Sequence, residues 1–418
     1  MHQSAPDPRP RVLHLAQPVD GGVARVVLDL ARAQLAAGLH VTVACPGGEL
    51  AAGLRALGVE VRHWQAGRSP GRGLPGELRR LVRLIDEVRP ELVHAHSAKA
   101  GLVGRLAVRR RVPTVFQPHA WSFEAVGGLT GALALRWERW GARWADRVVC
   151  VSEAERATGM RAGVRAPCTV IPNGVDLDRF CPEPTAPTTA SAPLHAPPPV
   201  TSPTPPSDPL SGISSAPARA AVLPGLDPAA PLVVCVGRLC RQKGQDVLLA
   251  AWEDVLGAVP EARLVLVGDG PDGAALRRRA HPSVRFTGAV ADAVPWYRAA
   301  DLVVLPSRWE GMALAPLEAL ACGRAVVLTD VDGARESLPP GLAARCLVPP
   351  DDPAALARTV AGLLSDPPLR AALGAQGRRH VLSTHDVRHT AERVAALYRE
   401  LLGARPLVPS EHRESLHS

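Results

Sequence analysis

Short apolar runs recur along this 418-residue chain, and segments of helical composition separate most of them. In the first half the runs are 11–16, 40–46, 59–65, 91–97, 113–119, 146–152 and 169–171. In the second they are 232–236, 263–268, 284–288, 301–307, 325–329 and 345–348. Apolar runs of this length, bounded by turn signals, read as buried strands. A strand, a helix and another strand, repeated, build a parallel sheet with helices on both faces. Late helices are expected over 353–364, 368–382 and 387–402. No stretch approaches the 18 consecutive apolar residues of a membrane span, and the first residues lack the apolar core of a signal peptide.

One segment breaks the alternation. Thirteen of residues 181–225 are proline, with Ser, Thr and Ala filling most of the rest. Such a segment is expected to be extended or disordered, building neither ladder nor helix. Residues 182–222 are expected to be replaceable by a short Gly/Ser linker, because closure entropy rises slowly with loop length. The expected divisions are a leader 1–9, a domain 10–180, the insertion 181–225, a domain 226–385, a helix 386–402 and a tail 403–418. The eight cysteines show no CxxC pair and no zinc spacing, which fits reduced thiols. The net charge is +8, and residues 1–180 hold about 25 Lys/Arg against about 16 Asp/Glu. With no nucleic-acid module in view, an anionic membrane surface or a phosphorylated acceptor is the favoured reason.

The chemistry concentrates at Ser307-Arg-Trp-Glu310-Gly-Met-Ala-Leu-Ala-Pro316-Leu-Glu318-Ala-Leu-Ala-Cys-Gly323. Pro316 suits the first turn of a helix, and Gly323 suits the residue past its end. Glu310 then leaves a strand's carboxyl end and Glu318 rides the following helix, at the edge where open parallel sheets bind ligands. Amides of the loop 311–315 suit an anion, and carboxylates accept hydrogen bonds from sugar hydroxyls. A sugar nucleotide satisfies both. Upstream, Gly21-Gly22 separates a strand from a helix, and Gly237-Arg238 with Lys243-Gly244 follows another strand. Arg offers a planar fork and Lys a point charge, which together suit a diphosphate. His119 ends the run 113–119. His94 and His96 are expected on opposite faces of their strand, which argues against a shared metal, and His96 is the better pocket candidate. Trp296-Tyr297 is expected to pack in the interior. In the helix expected over 129–145, Arg136, Arg139 and Arg143 share one face, beside Trp137, Trp140 and Trp144. A cationic stripe beside an aromatic one suits a lipid headgroup boundary.

Three of these features together resemble the retaining GT-B glycosyltransferases of family 4: Glu310-x7-Glu318 with Leu-Ala-Cys-Gly323, the turn Ile171-Pro-Asn173-Gly174-Val-Asp176, and Gly237-Arg238-Leu with Lys243-Gly244. The likeness covers nearly everything except 1–9, the insertion and the tail. It implies an α/β architecture of two Rossmann-like domains facing across a cleft, with the last helix crossing back to the first domain. It implies a hexosyltransferase-type enzyme (EC 2.4) that uses a nucleotide-diphosphate sugar, UDP-sugar first and GDP-mannose second. The acceptor would be a saccharide, lipid-linked or small-molecule hydroxyl, in envelope, exopolysaccharide or glycolipid synthesis.

By residue, the resemblance implies Arg238, Lys243 and Gly22 at the donor diphosphate, and Gly311, Met312 and Ala313 along the donor sugar. It implies Glu318 at the ribose, Val290 at the base, and Glu310 and His119 as the catalytic pair. No metal or other cofactor is expected, because the cations neutralise the leaving group and no DxD motif is present. A cytoplasmic protein is expected, peripheral at the inner face of the membrane, with no nucleic-acid partner. The loop Gly311-Met-Ala-Leu-Ala315 departs from the Gly-Phe/Leu-Gly/Ser type of many relatives and leaves the donor sugar open. A non-transferring sugar-nucleotide-binding protein and a GT-B-shaped epimerase are the other readings, and the intact Arg, Lys and Glu set argues against the first.

Overall fold

The computed structural model describes residues 9–67, 71, 73–183 and 216–403. The expected leader (but for Arg9), most of the insertion and nearly all of the tail lie outside these residues. Two all-parallel sheets organise the described chain. The first contains β1 (Arg11–Ala16), β2 (His40–Cys45), β3 (Glu60–His63), β4 (Leu92–His96), β5 (Thr114–Gln117), β6 (Arg147–Cys150) and β7 (Cys168–Val170), in the order β3-β2-β1-β4-β5-β6-β7. The second contains β8 (Leu232–Val236), β9 (Arg263–Val267), β10 (Val284–Gly288), β11 (Leu302–Leu305), β12 (Ala325–Thr329) and β13 (Leu347–Val348), in the order β10-β9-β8-β11-β12-β13.

Burial on both faces explains why these runs are continuous rather than alternating. In β1, Leu13 and Leu15 enter one core while Val12 and Ala16 enter another on the opposite side. Each buried side chain of this size contributes about 1.5–3 kcal/mol over exposure. Strand order reverses once in each sheet. β1, β2 and β3 step one way, and β4 returns to the free side of β1. Likewise β8, β9 and β10 step one way, and β11 returns to β8. Loops leaving either side of such a reversal diverge and open a crevice at the strands' carboxyl ends. These two crevices hold most of the residues singled out by the sequence.

The chain then doubles back. Val175 N–H donates to His385 O (2.8 Å), and Val387 N–H donates to Val175 O (3.0 Å). A side chain on Gly174 would lie 2.6 Å from the Val387 backbone, so this crossing requires glycine. The helix Val387–Leu401 then lies on the first domain, where Arg147 pairs with Glu400 and Tyr398 is buried.

Some expectations fail for physical reasons. The helices Glu49–Ala56, Gly273–Arg279 and Val294–Ala299 span eight residues or fewer, too short for a clear period. Residues 345–348 divide between a helical turn, Ala343–Cys346, and the two-residue edge strand β13. The segment 181–225 was expected to build no helix, yet Ala216–Val222 is one. Its proline falls in the first turn, where a missing N–H costs nothing. Arg219 anchors it. The guanidinium donates to Pro228 O (2.7 Å), Ala230 O (2.8 Å) and Ala299 O (3.3 Å), and pairs with Asp301 at 2.7 Å. A linker replacing 182–222 would remove this anchor, so any shortening has to stop before Ala216.

Removing one partner of a buried ion pair leaves the other uncompensated. Arg219→Ala is expected to cost about 3–5 kcal/mol in urea unfolding of the full chain, and Arg219→Lys, which keeps a cation beside Asp301, distinctly less. Equal and negligible losses in both would mean that the helix does not brace the second sheet.

Candidate active site

The loop after β8 meets the loop after β11. Gly244 makes this possible: it sits at φ +64°, and a side chain there would come within 2.0 Å of Pro306 O. Lys243 Nζ lies 2.5 Å from Glu310 Oε1, and Ser307 Oγ donates to the same oxygen at 2.7 Å. Among the described residues, Glu310 Oε2 has only Gln242 Nε2, at 3.5 Å. Lys243 and Glu310, assigned by the sequence to the diphosphate and the sugar respectively, therefore form one ion pair with side chains 20% and 9% exposed. Arg238 is half-buried, and its carbonyl accepts from Gln245 Nε2 at 3.0 Å.

Glu318 lies on the helix Leu314–Ala321. Tyr297 O–H donates to its Oε2 at 2.6 Å. Burial raises the Glu318 carboxyl above its ordinary range, against the opposing effects of this hydrogen bond and of Arg25 and Arg179. Val290 follows β10 and packs against the second domain's core.

The loop between the two glutamates is held from the other domain. Ser152 Oγ donates to Gly311 O (2.8 Å), and Asn173 Nδ2 donates to Met312 O (2.8 Å). A side chain at Gly311 would come within 2.8 Å of Glu155 Oε1 and 3.0 Å of the His119 carbonyl carbon, so only glycine fits. Glu336 accepts from Glu153 N–H (2.8 Å) and Ala154 N–H (2.9 Å), where the helix dipole of Glu153–Arg161 favours an anion. Thr158 Oγ1 donates to Asp332 Oδ2 at 2.6 Å. Gly22 belongs to the first turn of the helix Gly21–Ala36 rather than to a loop before it, and faces Leu314 across the crevice. Burial pushes Glu155 up to about 8 and Glu124 up to about 7, with the nearby Asp332 charge adding to both.

On the first sheet the expectation for the histidines is overturned. Residues two apart in a strand share a face, so His94 and His96 stack with ring centroids 4.0 Å apart. His14 of β1 joins them, and ring nitrogens of the three lie within 4.8 Å of one another, a spacing that suits a metal. Hydrogen bonds already engage most of these nitrogens. His14 Nδ1 is 3.0 Å from His96 Nε2, His96 Nδ1 is 3.2 Å from His119 Nε2, and His94 Nδ1 is 2.6 Å from Tyr398 OH. Burial lowers all four histidines, His14 to about 4, His119 to about 3, and His94 and His96 well below 6.5. All four are neutral at pH 7.

Sequence reasoning missed His14, Ser152, Glu155, Ser307, Asp332 and Glu336 as parts of this site and expected Tyr297 only to pack. Ser307 and Tyr297 lie close to motif residues and were within reach. The others find their partners only through the fold.

Two parallel-sheet α/β domains, each with a reversal of strand order at its carboxyl edge, define the GT-B class of scaffold. The chain matches the family described as Glycosyl transferases group 1 over residues 230–366 and Glycosyltransferase Family 4 over residues 20–179. It is 33% identical, over 76% of this chain and 78% of the relative, to the GDP-mannose-dependent alpha-(1-6)-phosphatidylinositol monomannoside mannosyltransferase of Mycolicibacterium smegmatis. It is 34% identical to the lipopolysaccharide core biosynthesis mannosyltransferase LpsB of Rhizobium meliloti, over 43% of this chain and 54% of the relative, so this match spans about half of that protein. Its fold matches Anabaena HepE, solved in complex with UDP and glucose, with a TM-score of 0.75 and 23% identity over 94% of this chain and 100% of that one. The chain belongs to the family 4, group 1 glycosyltransferases.

The titrations have opposite signs. Unfolded histidines, near 6.5, bind protons that the four buried ones refuse, so stability falls as pH drops below about 6.5. Glu124 and Glu155 keep protons that the unfolded chain sheds near 4.5, so their contribution is lost as pH rises from there through about 8. His380 and His385 are lowered in the same way, and Asp29 and Glu318 are raised; six histidines against four carboxyls place the stability maximum near about pH 6–7 in urea unfolding. Glu155→Gln should flatten the decline above pH 7, and an undiminished decline in that variant would remove Glu155 as its source.

Proposed function

We propose that this chain is a retaining, metal-independent hexosyltransferase that moves a sugar from a nucleotide-diphosphate donor to an acceptor hydroxyl presented at an anionic membrane surface. One observation carries the reading. Each glutamate is fixed firmly through one oxygen, Glu310 by Lys243 and Ser307 and Glu318 by Tyr297; the second oxygen of Glu310 has a long contact to Gln242 at 3.5 Å, and both second oxygens are placed to take hydroxyls in the crevice. Glu310 then holds the donor sugar and Glu318 the ribose. Arg238 and Lys243, with amides near Gly22 and along Gly311–Ala313, take the diphosphate, and Val290 borders the base. Stabilising the departing diphosphate is the main electrostatic task, and fixed cations perform it without reorganisation. The acceptor attacks from the face the diphosphate leaves, and the leaving phosphate takes its proton. GDP-mannose is the first donor to test, because both relatives named above are mannosyltransferases and one is GDP-mannose-dependent. UDP-sugars come second.

Support for the membrane comes from the helix Gly128–Gly141. The buried pair Arg105–Glu138 (2.7 Å) fixes which side faces inward. Leu129, Leu133 and Trp140 stand outward, 78%, 59% and 41% exposed, with Arg136 and Arg139 exposed and Arg143 over Trp140. A helix after a parallel strand starts at that strand's carboxyl edge, so Leu129 and Leu133 lie at the edge that bears His119. The tryptophans do not form the clean separate stripe expected from spacing, since Trp137, Trp140 and Trp144 also pack on one another. No helix among the described residues is long and apolar enough to cross a membrane.

Glu310→Gln is expected to lower turnover by about 10²–10³ while nucleoside diphosphate affinity by calorimetry stays the same or tightens, because Lys243 is freed. Arg238→Ala should weaken that affinity, and EDTA should leave turnover intact. Normal turnover in Glu310→Gln, or an absolute need for a divalent ion, defeats the mechanism.

Co-sedimentation with anionic vesicles is expected at low salt and should weaken at moderate salt, each basic residue contributing at most about 1 kcal/mol. Leu129→Ser with Leu133→Ser should reduce it. Equal partitioning to neutral and anionic vesicles, or none to either, makes the acceptor a soluble molecule.

A further inference from the structure

Three histidines form one hydrogen-bonded chain that begins in the interior and ends at the crevice. We propose that His96 and His14 are positioning residues that hold the His119 ring in its Nε2–H tautomer, so that its Nδ1 lone pair meets a hydroxyl of the donor sugar. The inference rests on the transfer reaction proposed above.

The polarity is set at the inner end. Gln34 presents its carbonyl oxygen to His14 Nε2 at 2.8 Å, so that nitrogen carries the proton. The Gln34 amide nitrogen is buried without a hydrogen-bond partner among the described residues, and the Tyr398 hydroxyl lies 2.6 Å from His94 Nδ1. A neutral imidazole has one N–H and one lone pair, and burial keeps these rings neutral. His14 Nδ1 therefore accepts from His96 Nε2–H at 3.0 Å, and His96 Nδ1 accepts from His119 Nε2–H at 3.2 Å. His119 Nδ1, with no hydrogen bond to another described residue, is left as an acceptor.

The backbone adds a second constraint. His119 sits at φ +60° and Ala120 at φ +139°, conformations that L-residues adopt rarely. They place the His119 carbonyl carbon against Gly311, next to Glu310. The His119 backbone thus stands beside the loop that follows Glu310. The chain is not a proton path, because Gln34 neither gives nor takes a proton at its far end. It orients, in the way that an outer partner fixes the tautomer of a working histidine.

The test compares the full chain with His96→Asn, which keeps an acceptor for His119 Nε2–H, and His96→Leu, which does not. Ring ¹⁵N shifts should report His119 as Nε2–H from pH 5 to 8 in the wild type and in His96→Asn, and as a tautomer mixture in His96→Leu. Turnover of the donor should fall roughly ten- to a hundred-fold in His96→Leu with nucleoside diphosphate affinity unchanged, and His96→Asn should recover most of it. His14→Leu against His14→Gln repeats the comparison one link further in, should His96→Leu fold poorly. An Nδ1–H His119 in the wild type overturns the proposal. So does an unaltered tautomer in the leucine variants, or one equivalent of zinc in the purified protein, which would take the lone pairs the chain uses. A shifted tautomer with unchanged turnover rejects the role of the ring while leaving the Glu310 test standing, so the two failures remain distinguishable.

Discussion

Parallel strands place all their carboxyl ends on one edge, and a change of strand order is the one place where that edge opens. Both sheets reverse next to their first strand, between β1 and β4 and between β8 and β11. Each long-range pairing in the crevices follows from these two reversals. His14 and His96 are neighbours because β1 and β4 pair in register, Ala16 opposite His96 and His14 opposite His94. Lys243 reaches Glu310, 67 residues away, because the loops after β8 and β11 leave adjacent strands.

The charges near the crevice fall into two kinds. Arg105–Glu138 is fully buried, with side chains 0% and 1% exposed, and its geometry sets the roll of one helix. Such a pair contributes little net stability over an apolar replacement, and its loss is costly only when one partner remains. Lys243–Glu310 is partly open to solvent. It sets a cation against the carboxylate at one oxygen, while the other meets Gln242 Nε2 at 3.5 Å. At Glu318 a tyrosine hydroxyl, not a cation, holds one oxygen.

The seam between the domains mixes polar and apolar contacts. Ser152, Asn173, Thr158 and the Glu336 carboxylate hold the Gly311–Met312 loop and the neighbouring helix start. Val151 and Val175 of the first domain share one buried cluster with Met312 and Leu314 of the second, and Phe180 meets Tyr297 edge-on. The return of the chain at Val175 and Val387 joins the two halves a second time. Burial raises the Glu124 and Glu155 carboxyls at the same place, to about 7 and about 8.

Local sequence was sufficient for most of the architecture. Buried strands are written as apolar runs, Pro316 and Gly323 bracket their helix, and Glu310, Glu318, Arg238 and Lys243 lie where strand ends and turn signals put them. Short helices escaped, and so did the docked helix Ala216–Val222, because a proline-rich composition hides a single buried arginine whose acceptors lie as far as 82 residues away. The error at His94 and His96 was one of period, since residues two apart share a face. The sequence by itself determined which groups stand at the carboxyl edges, because strand and helix periods are local properties. Only the tertiary structure decided that Lys243 pairs with Glu310, that Tyr297 holds Glu318, and that His14, His96 and His119 form one chain. Those contacts depend on which strands lie side by side, and strand order is set by the packing of whole helices on whole sheets.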